Sequence, residues 1–486
     1  NKLDAGFTDL GDHTIKNIPD PVRVYRVEPR NQPEASARAS APPDKRPRRL
    51  RTALVATAAL LLLLGLGLWA SWPRPLGLVI DLVGLSGPPV NPALPDKPSI
   101  VVLPFANMSG DPEQEYFADG ITEELITDLA GVSELFVISR NSAFTYKGRP
   151  VKVRDVGRDL GVRYVLEGTV RKAEGRVRIT AQLIDATSGF HLWSERYDRE
   201  LSDIFALQSE ISQRILVALK VELRDADLER MARRSSRDLK ALDIWWRGMA
   251  HLYRDTREDL LEARYLFERA TEQDPDFALA YAFAGITYAI EYQFGWNLDP
   301  ALLDRGAELA QRALALDPSN GVAHMVLTVI NLGRGRLAEA LVAAERAVEL
   351  VPNAEQSHTL LGMALARQGR FVAALQSVAR AARLNPRTTS AVWAVVAYVN
   401  FAAGRTEKAV ELWEQVRAAN PDMILARIPL AALYESEGRH EEARALAQEI
   451  LRVNRDLTAE SATELALTFG FDGDEFRDNL RSAGFP

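Results

Sequence analysis

Asp111, Glu113, Glu115 and Asp119 place four carboxylates in a short stretch that could serve a divalent cation. Their spacing departs from a calcium loop, which needs a glycine at its sixth position and a glutamate at its twelfth, where this chain has Tyr116 and Thr122. Asp111-Pro112 also reads as an N-cap and first-turn proline, and acidic residues in a first helical turn follow from the helix dipole alone. The six histidines, at positions 13, 191, 251, 324, 358 and 440, never approach metal-ligand spacing. With no cysteine, disulfides and thiolate metal sites are excluded. No nucleophile beside a histidine, no phosphate-cradling glycine loop and no pair of catalytic carboxylates can be assembled. The expected catalytic, cofactor-binding and metal-ligating residues of this chain are therefore none, and the sequence points to recognition.

Recognition needs a scaffold, and the C-terminal half supplies a periodic one. Pro275, Pro318, Pro352, Pro386 and Pro421 recur at intervals of 43, 34, 34 and 35 residues. Small residues sit at fixed offsets before them: Ala263 and Ala270, Ala340 and Ala347, Ala374 and Ala381, with Phe267 as the large residue of the first pair. This pattern over residues 240–454 resembles about six tetratricopeptide (TPR) repeats, stacked helix pairs whose solenoid presents a concave binding face. The long first interval holds an insertion, Glu291 to Leu298 (EYQFGWNL), before Asp299 and Pro300 restart a helix. Counted from the repeat motif, the groove-facing positions are Ile286, Val322, Met325, Val329, Met363, Tyr398 and Phe401. They are mostly apolar, and the Lys/Asn set that clamps a C-terminal carboxylate in some TPR proteins is absent at these offsets. The resemblance thus implies a protein or peptide partner of apolar or amphipathic character. Residues 455–486 are expected to form capping helices.

Residues 98–225 read as an α+β domain. Ile100 to Phe105 is an apolar run of strand type, followed by a helix ending near Leu129, a strand at Leu135 to Ile138 and a short helix from Val153 to Leu160 stopped by Gly161. Val177, Ile179, Ala181 and Leu183 alternate with Arg178, Thr180 and Gln182, so a hairpin with one buried face pairs them with Tyr164 to Arg171. Ile204, Leu207, Ile211, Ile215 and Leu219 give an amphipathic helix expected to cover the sheet or lead into the next domain. Ser99 to Gly110 (SIVVLPFANMSG), Tyr116 to Thr122 (YFADGIT) and Gly161 to Gly168 (GVRYVLEG) resemble the TolB-like domain of bacterial membrane-anchored regulators, which implies a periplasmic, non-catalytic module.

Thr52 to Trp72 carries no charge and is rich in Leu and Ala, enough for one helix across roughly 30 Å of hydrocarbon. Lys45, Arg46, Arg48, Arg49 and Arg51 crowd its N-terminal side, so the positive-inside rule puts the N-terminus in the cytoplasm and the bulk of the chain outside the inner membrane. Residues 30–51 and 73–97 read as a basic flexible linker and a Pro-rich linker. Phe7 to His13 (FTDLGDH), Lys16-Asn17-Ile18 and Pro21 to Val27 (PVRVYRV) resemble the closing strands of class III adenylate/guanylate cyclase domains. Residues 1–29 are accordingly expected to be the C-terminal remnant of such a domain, whose metal-binding and nucleotide-binding residues would lie upstream, with Mg and ATP or GTP implied there and no cofactor in this chain.

The expected fold class is multidomain: a transmembrane helix, an α+β TolB-like domain and an all-α TPR solenoid. A formal net charge of −7 gives no reason to expect nucleic-acid binding. The leading expectation is the sensory and scaffolding part of a cyclase-like signalling protein, anchored in the membrane and homodimeric as the resemblance implies. The rival is a non-enzymatic TPR interaction protein or a transmembrane transcription regulator.

Overall fold

The computed structural model describes residues 5–13, 22–29, 94–221, 238–254, 256–387, 390–420, 423–467, 470–471 and 473–486. The expected membrane helix at 52–72 and both linkers lie outside these, apart from residues 94–97 of the second linker. Among the described residues, no helix is long and apolar enough to cross a membrane. The chain divides into two units, residues 1–72 and 73–486. In the first, β1 (Ala5–His13) pairs antiparallel with β2 (Val22–Pro29), with a register shift between Asp9 and Asp12.

The second unit opens with a mixed sheet. β3 (Ser99–Val102) lies between β5 (Phe136–Val137) and β6 (Tyr164–Ala173), parallel to both, and the short β4 (Ala106–Asn107) continues alongside β6. β6, β7 (Arg176–Asp185) and β8 (His191–Glu200) then run antiparallel, leaving β8 at the sheet edge. The β6–β7 turn is two residues, Glu174 and Gly175, both at positive φ, as a tight turn matched to strand twist requires. α1 (Glu115–Ala130) follows a 3₁₀ turn over Pro112–Gln114, whose N-cap Asp111 accepts from the Glu113 N–H. Asp111 is thus a cap, as its position before proline suggests. α1 and α4 (Ile204–Ala218) cover one face of the sheet; α2 (Arg140–Phe144) and α3 (Val153–Leu160) pack on the other, with Gly161 at φ +62 ending α3.

The remainder, among the described residues, is a helical solenoid with six antiparallel pairs. They are α5 (Leu239–Leu252) with α6 (Arg257–Gln273), α7 (Ala278–Gln293) with α8 (Ala301–Leu316), and α9 (Gly321–Gly333) with α10 (Leu337–Leu350). α11 (Glu355–Arg367) with α12 (Phe371–Leu384), α13 (Ser390–Ala402) with α14 (Thr406–Ala419), and α15 (Ile424–Ser436) with α16 (His440–Val453) complete them. α17 (Ala459–Leu467) and α18 (Asp474–Ala483) close the end. Ala263, Ala270, Ala340, Ala347, Ala374, Ala381 and Phe267 are all fully buried, since paired helices can approach closely only across small side chains. A second period marks the turn inside five of the six pairs, α7–α8 to α15–α16: Gly295, Gly335, Gly369, Gly404 and Gly438 all have φ between +67 and +78. The N–H that follows each glycine reaches back to a carbonyl of the last helical turn, as Arg370 does to Leu365 at 2.9 Å, so only a residue at ease in the left-handed region fits there.

The sheet and the array share one core. Trp245 and Trp246 on α5 are buried together with Phe117, Ile121 and Leu125 of α1, and Trp246 meets Phe117 edge-on at 5.2 Å. Gly120 makes this approach possible, because a Cβ there would lie 2.5 Å from Trp246 Cγ. Gly120→Ala is therefore expected to cost about 1–3 kcal/mol by overpacking. Urea denaturation would measure it, and an unchanged midpoint would show that Trp246 can shift freely.

Candidate interaction surface

The seven residues expected to line a groove all lie on the first helices of their pairs, yet most face packed neighbours. Met363 and Tyr398 are 2% and 3% exposed, and Met325 and Val329 are each 8% exposed. Ile286, Val322 and Phe401 are half-buried. Ile286, Val322 and Val329 belong to the packing among α7, α8 and α9, and Met325 packs against Ala347 and Val351. Tyr398 and Phe401 are covered by the chain's own C-terminal segment. Phe471 stacks on Phe401 at 4.6 Å and lies 5.6 Å from Trp413 and 6.3 Å from Tyr398, with Phe476 behind it at 5.2 Å. Motif offsets assign a residue to a helix face; they do not reveal a distant segment that folds back over it.

The insertion after α7 makes a second return contact. Asn454 donates from Nδ2 to the Gly295 carbonyl at 2.6 Å, and Phe294 and Leu298 pack against the core of the last repeats. A Cβ on Gly295 would stand 2.7 Å from Leu465 Cδ1 and 3.0 Å from Ile424 Cδ1, so this glycine serves both the turn and the contact. The loop that the repeat spacing singles out thus ties the second helix pair to the sixth and to the cap. Its root is fixed by Glu291, which is buried against Arg264 at 2.6 Å, while the Arg264 guanidinium lies over the Tyr288 ring at 3.9 Å.

A third set of contacts, polar and long-range, joins the sheet domain to the turns between repeats. Asn353 donates to the carbonyls of Val132 at 2.9 Å and Ala130 at 3.3 Å. Arg383 donates to the carbonyls of Leu160 at 3.0 Å and Gly161 at 2.7 Å, satisfying the end of α3, and stacks with Arg380 over Phe136 at 4.6 and 4.7 Å. Burial pulls the Arg383 guanidinium down to about 10, with Arg380 beside it adding to the fall. Ser142 donates to Asn385 Oδ1 at 2.5 Å and accepts from the Arg387 N–H.

Within this seam sits a buried pair of acids. Glu123 takes Arg140 at 2.7 Å and the Tyr253 hydroxyl at 2.9 Å, and the Arg140 guanidinium is sandwiched between the rings of Tyr253 and Phe144 at 3.6 and 3.8 Å. Glu355, at the first position of α11, is pushed up to about 7, chiefly by burial and further by the charge of Glu123, against hydrogen bonds from Ser139 and Asn385 that favour its ionised form. Burial also drives the Tyr116 hydroxyl up to about 12, helped by its 2.6 Å hydrogen bond to Asp243. Of the acidic quartet, Asp119 and Glu115 are taken by Lys147 at 2.6 and 3.0 Å. No group of three or more His, Asp or Glu able to hold a metal occurs among the described residues. A cleft of about 540 Å³ between α14, α15 and α16 is lined by Glu414, Arg417, Arg427, Glu449 and Arg452, and its Arg417 already pairs with Glu449 at 3.0 Å. These contacts hold protein segments of the chain together.

Comparison with known proteins bears on the array. The family described as Tetratricopeptide repeat matches residues 302–355, 332–388 and 400–463. The chain contains TPR repeats. A relative named "Putative adenylate cyclase 3", from Rhizobium meliloti (strain 1021), is 41% identical over 340 residues, 70% of this chain and 50% of that protein. The chain spans about half the length of this curated relative. Among solved structures, the thermophilic TPR protein TTC0263 of Thermus thermophilus is 21% identical with a TM-score of 0.31, over 39% of this chain and 96% of that one. YrrB, described as a TPR protein with an unusual peptide-binding site, is 23% identical with a TM-score of 0.25, over 39% and 91%. TolB from Acinetobacter baumannii is 22% identical with a TM-score of 0.20, over 26% and 29%.

The Glu355 carboxyl gives the seam a pH signature. Its pKa is raised on folding, so its stabilising effect is complete below the unfolded value near 4.5 and is lost as pH climbs through about 7. Glu355→Gln removes that loss, so the variant should be more stable than the wild type at pH 8, by on the order of 2 kcal/mol, with the gap closing below pH 5. Thermal unfolding of both proteins from pH 4.5 to 8.5 measures this; parallel curves would place the carboxyl in an ordinary environment.

Proposed function

We propose that the chain is the sensory and scaffolding part of a membrane-anchored, adenylate/guanylate cyclase-like signalling protein, with the TPR array binding a protein or peptide segment. The observation that carries this reading is the 41% identity, over 340 residues, with the relative named as an adenylate cyclase. In this reading residues 52–72 cross the inner membrane once with the N-terminus cytoplasmic, and the TolB-like domain at 98–225 and the repeats at 240–454 are periplasmic. Residues 1–29 close a class III cyclase domain, which would use Mg and ATP or GTP; the present chain binds no cofactor and no nucleic acid. A single span transmits through the geometry of two copies, so the protein is a homodimer. The second reading, a non-enzymatic anchored TPR protein or a transmembrane transcription regulator, draws on the repeats themselves, whose family match is to an interaction module.

A chimera separates them. Replacing the matching 340-residue part of the Rhizobium relative by this chain should preserve cyclic-nucleotide formation in a cyclase-deficient host, and removing residues 240–454 should change it several-fold. Output indifferent to that deletion would leave the array without a regulatory role.

The groove is tested at its half-buried members. Ile286→Asp and Val322→Asp should weaken binding of a peptide selected against the chain by roughly tenfold, about 1.4 kcal/mol, with the helical circular dichroism unchanged. Wild-type affinity in both would remove the groove from the proposal. Met363 and Tyr398 are unsuitable for this test, since a carboxylate at either would be buried in the core.

A further inference from the structure

β8 is a ten-residue strand that pairs with β7 on one side, and among the described residues no strand pairs with its other side. A long open edge is a template for another strand, and folded proteins usually blunt such edges with charge. β8 is charged, with Glu195, Arg196, Asp198, Arg199 and Glu200 around Tyr197. Their signs are complementary under reversal about Tyr197, with Glu195 and Arg196 before it and Asp198 and Arg199 after it.

We propose that β8 is a homodimer interface, in which the strand pairs antiparallel with β8 of a second copy about a two-fold axis through Tyr197. The axis stands perpendicular to the sheet, so residues of equal separation from Tyr197 oppose each other and share a face. Arg196 then faces Asp198 of the second copy, and Glu195 faces Arg199, each pair occurring twice. Glu200 falls opposite Ser194. Shifting the axis by one residue toward Arg196 brings two Arg196 side chains together, and shifting it toward Asp198 brings two Asp198 together. The Tyr197 register opposes unlike charges at all four positions and like charges at none, and cross-strand pairs of opposite charge are attractive while like pairs repel.

The structure prepares both faces for this. On the open face, Arg178 and Arg176 hold the Asp198 carboxylate at 2.5 and 2.9 Å, fixing it in its ionised form beside the exposed Arg196. On the helix-covered face, the Tyr197 hydroxyl donates to Glu195 at 2.6 Å, and its buried ring anchors the strand centre against Ile179 of β7. Beyond the charged segment, Phe190 is 74% exposed and Leu192 is also exposed, which extends the edge with apolar surface. The six-stranded sheet would become a continuous sheet across two copies. This interface rests on the homodimer of the proposed function, gives it a location in the described residues, and is distinct from the TPR groove.

The absence of cysteine makes a register-specific test possible. Full-length chains carrying R196C and D198C, purified in detergent, are mixed and oxidised. The expected result is a disulfide-linked dimer in the mixture and none with either variant alone, because only residues 196 and 198 of different copies face each other. R196E, which sets a carboxylate against Asp198 of the second copy, should weaken self-association on the order of tenfold by light scattering. A dimeric mass without the mixed cross-link, or cross-linking of R196C or D198C alone, would overturn this interface while leaving the homodimer standing. A monomeric wild type at all concentrations would overturn both and return the charges to a protective role.

Discussion

A helical solenoid is held together by contacts between neighbours, so its two ends each present an apolar face that must be covered. Both coverings in this chain are built from the chain itself, and the rest of the second unit follows from them. At the N-terminal end, Trp245, Trp246 and Met249 of α5 are buried with α1 of the sheet domain in one continuous core. At the C-terminal end, α17 and α18 bring Leu465, Phe471 and Leu480 onto the last repeats. The array is therefore a bridge between two caps, and surface that an open TPR groove would leave for a partner is partly consumed by the caps.

The seam adds specificity to that burial. Inter-repeat turns normally satisfy themselves, as Asp317 does by accepting from the Ser319 N–H at 3.0 Å. Where the sheet domain docks, polar side chains beside the repeat prolines are diverted: Asn353 reaches the end of α1 and Asn385 accepts from Ser142 of α2. A buried polar group costs little only when its partner is present, so these asparagines make one docking geometry far better than its neighbours. The acids Glu123 and Glu355 lie in the same seam, and their burial is tolerated because arginine, tyrosine and amide groups surround them.

How much of this could be read from the residues differs by level. Helix pairs were legible because proline and alanine recur at a fixed period, and the left-handed glycines 295, 335, 369, 404 and 438 carry a second, independent period that marks the turns inside the pairs. The strands were legible where one face is wet, as in β7, and the stop at Gly161 was plain. α2 was not legible, being five residues with no periodic signal. The burial of Tyr398 and Met363 was also hidden. A tyrosine on the inner face of a repeat carries the same local pattern whether it meets a peptide or Phe471, and the distance in sequence between Tyr398 and Phe471 gives no local trace of their meeting. The roles of Asn353 and Asn385 were invisible for the same reason, since their partners lie more than 200 residues away.

These contacts also fix where motion cannot occur. Separating the sheet domain from the array would expose two tryptophans and the ring of Phe117, and at the same time strip Asn353 and Arg383 of their carbonyl partners and Glu123 of the Tyr253 hydroxyl. Both losses fall on the same displacement, so the apolar and polar costs add where in a hinge they would be traded against each other. The insertion opposes the other obvious movement, uncoiling of the array, because opening the solenoid between its second and sixth pairs breaks the Gly295–Asn454 hydrogen bond and withdraws Phe294 and Leu298 from the C-terminal core. A partner acting on the repeats therefore acts on the sheet domain as well. The open edge of β8 is exempt from these constraints: its outward backbone groups take no part in the seam, and pairing there would join two copies without disturbing the packing within either one.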